Sequence, residues 1–201
     1  MEGKEEIILK TALDLFLEKG YQNTNLKDVI DKVGGSYTTI YKKFKNKHQL
    51  FLRALRYGAD ERIKILTSLV KNNKHLDLVN FLDNFAFDYF TYFCSEYNVN
   101  FVRLVISRSY HDKILQKLLN ESDKTEIIKN LASVFEEKFN KDIFKEIDSL
   151  SLANIYCSMI RTDKMFSIFA NMDIERISEE NIRNHVKSVN KLFLRAINFN
   201  V

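Results

Sequence analysis

The sequence contains no proline and only five glycines, of which Gly20, Gly34 and Gly35 fall within the first 35 residues. Long helices tolerate that scarcity, whereas folds built from many tight turns rarely do. A coding bias toward Lys, Asn, Ile and Phe would also deplete proline, so a helical reading has to rest on periodicity. The two cysteines, Cys94 and Cys157, are far apart and have no His or Cys neighbour at metal spacing. That argues against a zinc site or a disulfide framework and for reduced core thiols. The four histidines, at 48, 75, 111 and 185, are scattered. There is no Gly-rich phosphate loop, no recognisable Cys-His or Ser-His-Asp signature and no carboxylate-histidine metal spacing. No enzyme, metal or cofactor is expected. No apolar run approaches the roughly 20 residues that span a bilayer. The first ten residues, MEGKEEIILK, are charged and lack the apolar core of a signal peptide. A cytoplasmic protein is expected.

What is present is a globular composition, 45% hydrophobic and 29% charged over 201 residues, enough for one or two domains with a real core. Ile8, Ala12, Leu15 and Phe16, widened by Leu9 and Leu13, predict a helix over 5–19, stopped by Gly20. Asn25 is placed as an N-cap with Asp28 in capping-box position. The helix it opens carries Leu26, Val29, Ile30 and Val33 and ends at Gly34-Gly35. Ser36 caps a short helix to about Phe44. Asn46, with Gln49 following, caps another that runs to about Lys71. Two short helices joined by a glycine-containing turn form a helix-turn-helix over about 25–44, the second helix being the one that enters a DNA major groove. Further helices are expected at 76–93, 98–108, 111–139, 149–171 and 178–198, with Asp148 and Ser178 as caps of the last two. The reading is all-α, with a DNA-binding domain at 1–47 and a helical domain at 48–201.

The stretch GGSYTTIYKKFKNKHQLF, residues 34–51, is the most informative. From Lys32 to Ala59 there are seven basic residues and no acid, on a chain whose net charge is only +4. A localised basic surface on a barely basic protein points to a localised anionic partner, and DNA phosphate is the obvious one. In the helix opened by Ser36, Ile40 and Phe44 are the apolar anchors. Tyr37, Thr38 and Thr39 occupy its first turn, from which base edges are reached. Tyr41, Lys42 and Lys43 suit phosphate contacts, and so does Lys47 in the first turn of the next helix. A merely solvated helix accounts for Lys43 and Lys45 but poorly for exposed tyrosines.

The stretch from Leu15 to Phe51 resembles the N-terminal domain of the tetracycline-repressor (TetR) family of bacterial transcription regulators. The resemblance rests on Ala12 and Phe16, Gly20-Tyr21 and Thr24, Asp28-Val29-Ile30, Gly34 and Ser36, then Tyr41, Phe44, Lys47 and Leu50-Phe51. It covers about residues 5–55 without a gap. It implies phosphate contacts from Thr24, Tyr41 and Lys47, and base contacts from Tyr37, Thr38 and Thr39. Gly35 replaces the branched apolar residue usual in the family. Tyr37 stands where a basic or small residue is common, so base preference is not carried over. The resemblance further implies a helical C-terminal domain that dimerises and encloses a small-molecule pocket.

In that half the residues say less. The segment 76–93 is apolar on more than one face, which suits either plain core or an aromatic-lined cavity for a hydrophobic ligand. Phe85, Tyr89, Phe93, Tyr97, Arg103 and Tyr110 are its candidate lining. Leu152, Tyr156 and Met159, with Ile182, Val186, Val189 and Phe193, form stripes on the last two helices. Such stripes serve an isologous dimer or packing within one subunit, and the resemblance favours the dimer. The expected protein is a homodimeric, ligand-responsive regulator, a repressor, binding a near-palindromic operator on double-stranded DNA. The alternative is a DNA-binding regulator without a small effector.

Overall fold

The computed structural model describes the backbone of residues 3–34, 37–110, 112–121, 124–161 and 178–197, and their side chains except 37–39, 118–121 and 124–125. Among the described residues there is no strand. The helices are α1 (Lys4–Asn23), α2 (Leu26–Val33), α3 (Tyr37–Phe44), α4 (Lys47–Asn73), α5 (Leu78–Phe93), α6 (Glu96–Ser109), α7 (Lys113–Glu121), α8 (Lys124–Lys138), α9 (Ser149–Arg161) and α10 (Glu179–Ala196), with a 3-10 turn at Lys141–Lys145.

Four of the caps read from the sequence are made. Asn25 and Asp28 exchange side-chain-to-backbone bonds at the head of α2, a complete capping box. Asn46 accepts from the Gln49 N–H at 2.9 Å, Asp148 from Ser151 at 2.9 Å and Ser178 from Asn181 at 3.2 Å. Two expectations are corrected. The helix expected at 111–139 is two helices, α7 and α8. The sequence at the junction, Asn120-Glu121-Ser122-Asp123-Lys124, is polar throughout. The helix expected to stop before Gly20 resumes for one turn beyond it: Gly20 has φ 76°, a left-handed conformation that suits glycine. The part of the 149–171 helix beyond Arg161, with Phe166 in it, lies outside the described residues, as does Ser36.

The chain forms two compact units. The first comprises residues 1–62 and 100–123, so it takes in the first half of α4, most of α6 and α7. The expected boundary after Lys47 falls inside it. Its core is built by Ala12, Leu15 and Phe16 of α1, Val29 and Ile30 of α2, Ile40 and Phe44 of α3, and Phe51 and Leu55 of α4. Phe101 and Val105 of α6 and Leu115 of α7 complete it. Phe16, Tyr21 and Phe51 meet edge-on or stacked, with centroids 4.7–6.0 Å apart.

The second unit comprises residues 63–99 and 124–201. Phe81, Phe85 and Phe90 of α5, Leu131 and Phe135 of α8, Tyr156 of α9 and Phe193 of α10 are at its centre. One polar chain threads this apolar interior. The Tyr156 phenol lies 2.7 Å from the Asn190 amide oxygen and 3.1 Å from the Leu82 carbonyl, and Asn190 donates in turn to Asp83 at 2.6 Å. A buried polar group satisfied this way ties three helices to one register.

Candidate nucleic-acid interface

The turn between α2 and α3 begins at Gly34, which has φ 73° and whose N–H donates to the Ile30 carbonyl at 2.8 Å, ending α2. α3 is then seated by Ile40 and Phe44, 3% and 1% exposed, the i and i+4 anchors the sequence indicated. The opposite side of the helix carries Tyr41, 48% exposed, and Lys42, also exposed. Lys45 takes a positive φ of 59° and closes α3 by donating to the Tyr41 carbonyl at 2.8 Å. Asn46 follows at once as the cap of α4, which leaves Lys47 in the first turn of that helix. The side chains of Tyr37, Thr38 and Thr39 lie outside the described residues, and α3 places their backbone in its first turn.

The basic residues of this surface differ in what they face. Lys43 and Arg53 both pair with the Glu5 carboxylate, and Arg53 also lies over the Phe44 ring at 4.8 Å. Lys32 sits 3.8 Å from Glu18. Lys42 has no acid partner among the described residues. Lys47 donates to the Gln22 carbonyl at 3.0 Å and lies 4.5 Å over the Tyr21 ring. Burial, and after it the nearby charge of Arg108, hold its ammonium below the usual lysine range, against a smaller pull from Asp28.

Two of the expected phosphate contacts need revision. Thr24 is fully buried, and its hydroxyl points back at the carbonyls of Gly20 and Leu15, 2.9 and 3.1 Å away. It satisfies the end of α1 left open by Gly20, so the side chain is not presented to a ligand. Lys43 shares the Glu5 carboxylate with Arg53 while its side chain stays 39% exposed, so its charge is already partly balanced. Sequence reasoning gave Arg108 no place on this surface. It lies in the last turn of α6 with its guanidinium 4.4 Å over the same Tyr21 ring that Lys47 covers. Nothing local in the sequence marks it; only the packing of α6 in the first unit brings it there.

The residues expected to line a pocket are divided between the two units. Phe85, Tyr89 and Phe93 are 0%, 5% and 8% exposed and stack along α5, their centroids 5.5 and 6.2 Å apart in succession. Tyr97 belongs to the second unit, and Arg103 and Tyr110 to the first; Tyr110 is 82% exposed. The Cys157 thiol is buried against Tyr89 and pushed up to about 12 by that burial, an inert core thiol.

The expected dimer stripes are used inside one chain. Leu152, Tyr156, Ile182, Val186, Val189 and Phe193 are all buried in the core of the second unit, and Met159 packs against it. The apolar side chains these two helices leave exposed are Leu150, Ile155 and Leu192. Among the described residues there is no group of three side chains suited to hold a metal, and no helix is long and apolar enough to cross a membrane.

The family model for bacterial regulatory proteins of the tetR family matches residues 8–54, and that for the C-terminal domain of AefR-like transcriptional repressors matches residues 80–197. Two uncharacterised HTH-type transcriptional regulators of Bacillus subtilis are similar over the N-terminal region. YuxN is 36% identical over 61 residues, 30% of this chain and 21% of its own length. YvkB is 37% identical over 66 residues, 33% and 35% of the two chains. The match thus spans about a fifth to a third of the length of these relatives. A TetR-family regulator from Mesorhizobium loti has the same fold, with a TM-score of 0.86 over 96% of both chains at 22% identity. The flavonoid-responsive regulator FrrA aligns over 96% of both chains with a TM-score of 0.63 at 24% identity.

Proposed function

The chain belongs to the TetR family of bacterial regulatory proteins and is a transcription regulator; from that premise we propose that it acts as a homodimeric repressor of a near-palindromic operator. Its relatives are regulators and not enzymes, in line with the absence of catalytic signatures in the sequence. Each subunit inserts α3 into the major groove. Tyr37, Thr38 and Thr39 take the base edges, while Tyr41, Lys42 and Lys47 take phosphates. The observation that carries this is the seating of α3. Ile40 and Phe44 are buried in the first unit's core, which leaves Tyr41 and Lys42 exposed.

The dimer is proposed through the outer faces of α9 and α10, where Leu150, Ile155 and Leu192 remain exposed after the inner stripe is buried. A small hydrophobic effector that binds the second unit releases the operator. A repressor of this kind does its work in the cytoplasm. A second reading, a regulator with no small effector, is favoured by the packing of Phe85, Tyr89 and Phe93 against one another and the core.

The test is a selection of the purified protein against random duplex DNA at two salt concentrations, with native mass spectrometry of the same preparation. A two-fold symmetric consensus with half-sites about one helical turn apart, ~34–36 Å, is the expected result. Weak, salt-sensitive binding without a consensus overturns the proposal. A retained apolar molecule supports the effector reading, and a bare protein that responds to no hydrophobic compound supports the second.

A further inference from the structure

We infer that Arg108 of α6 is a DNA-backbone contact, joined with Lys47 around the Tyr21 ring into one phosphate clamp drawn from three helices. The inference rests on the DNA-binding reading above. The ring of Tyr21, in the turn after Gly20, holds two cations at contact distance: the Lys47 ammonium at 4.5 Å and the Arg108 guanidinium at 4.4 Å. The two charges are therefore separated by no more than the sum of those distances. Neither has a carboxylate bonded to it among the described residues. Asp28, the acid that acts on Lys47, is held by the Asn25 N–H at 2.9 Å in the capping box of α2.

The arrangement is unfavourable as it stands. Two like charges repel, and Lys47 is held low by burial first and by the neighbouring Arg108 second. Contact with an aromatic face returns only about 0.5–1 kcal/mol at exposed sites. The C-terminal dipole of α6 explains a cation at residue 108, since positive charge is favoured in the last turn. It does not explain why that cation lies on Tyr21 beside Lys47. Elsewhere on the same surface a crowded pair is neutralised: Lys43 and Arg53 share Glu5. Around Tyr21 no carboxylate is bonded to either cation among the described residues: Asp28 pulls on Lys47 only weakly and Asp112 pairs with His48, and an external anion completes the site. The partner proposed for Lys47 is DNA phosphate, so the same backbone stretch satisfies Arg108. Arginine suits this task because its planar fork can stack on a ring and still offer edge donors to phosphate.

The experiment measures affinity for a random-sequence duplex pool and for the selected consensus, across a range of salt, for the wild-type full chain and for Arg108→Ala, Arg108→Gln and Arg108→Lys. Circular dichroism melts are taken of each. The expected result is a several-fold loss of affinity for both DNAs with Ala and Gln. The slope of log affinity against log salt should fall by about one unit, and base preference should be unchanged. Arg108→Lys should retain most of the slope. An unchanged slope in the folded Ala or Gln variant overturns the inference, whatever happens to the melting temperature. If the wild type shows no salt-dependent DNA binding, the functional reading fails with it, and that failure is visible before any variant is made.

Discussion

The hydroxyl of Thr24 lies 2.9 Å from the carbonyl oxygen of Gly20, in the first unit's interior. That relationship turns an expected DNA contact into a structural device. Thr24→Val should remove the donor while keeping the shape. It leaves the open carbonyls at Gly20 and Leu15 unsatisfied, at a cost of about 1–3 kcal/mol. Thr24→Ser should keep most of the stability. Chemical denaturation of the three proteins measures this. A Val variant of wild-type stability with weakened DNA binding would restore the phosphate role.

Glu5 holds both Lys43 and Arg53. Glu5→Gln should free two cations on the DNA-facing unit, raising affinity for all sequences and steepening the salt dependence by up to about two units. The stability change should be small, because exposed ion pairs contribute about 0–1 kcal/mol. Fluorescence anisotropy with a random duplex at several salt concentrations is the check; a weaker or unchanged affinity would mean the pair lies away from the DNA.

Gly58 sits within α4, and a Cβ there would lie 2.6 Å from the Leu13 side chain and 2.7 Å from the Phe101 ring. Replacing glycine by alanine inside a helix normally stabilises by about 1 kcal/mol. Here both neighbours are buried, so overpacking of about 1–3 kcal/mol should win. Gly58→Ala should melt lower than wild type in calorimetry.

Tyr156→Phe removes the phenol that meets the Asn190 oxygen and approaches the Leu82 carbonyl. The ring contact with Phe193 at 4.5 Å survives. The loss should be about 1–3 kcal/mol, the cost of stranded buried acceptors. Denaturant unfolding of the variant reads it directly.

Asp77 and Asp148 cap α5 and α9, and both carboxyls are held below the usual range, by Asn80 and Ser151 respectively. A carboxylate with a lowered native value binds protons later than in the unfolded chain. Its contribution is therefore present above the unfolded value, ~3.9, and fades as pH falls through the lower native one. Asp77→Asn and Asp148→Asn should each flatten the acid limb of a melting curve taken against pH. An unaltered acid limb would show that the caps titrate alike folded and unfolded.

The helix-turn-helix was readable from the chain because its signals are local. Capping residues act within three positions, Gly20 and Gly34 supply conformations other residues resist, and the Ile40–Phe44 spacing seats α3 whatever lies beyond. The two-helix break between α7 and α8 was less legible, since a polar stretch can sit on a helix surface as easily as end one. The stripes of α9 and α10 were visible, but a stripe looks the same whether it meets its own subunit or another.

By itself the sequence determined the all-helical class, the family of the N-terminal region and the charge of its surface. These follow from spacing and residue type along a few turns of chain. The tertiary structure decided which of those residues are available. Thr24 is turned inward by the break at Gly20, Lys43 is paired across a 38-residue separation in the chain with Glu5, and the dimer stripes are buried within one chain. Arg108 is brought 87 positions back to Tyr21. Burial and ion pairing depend on distances between residues remote in sequence, and only packing sets those.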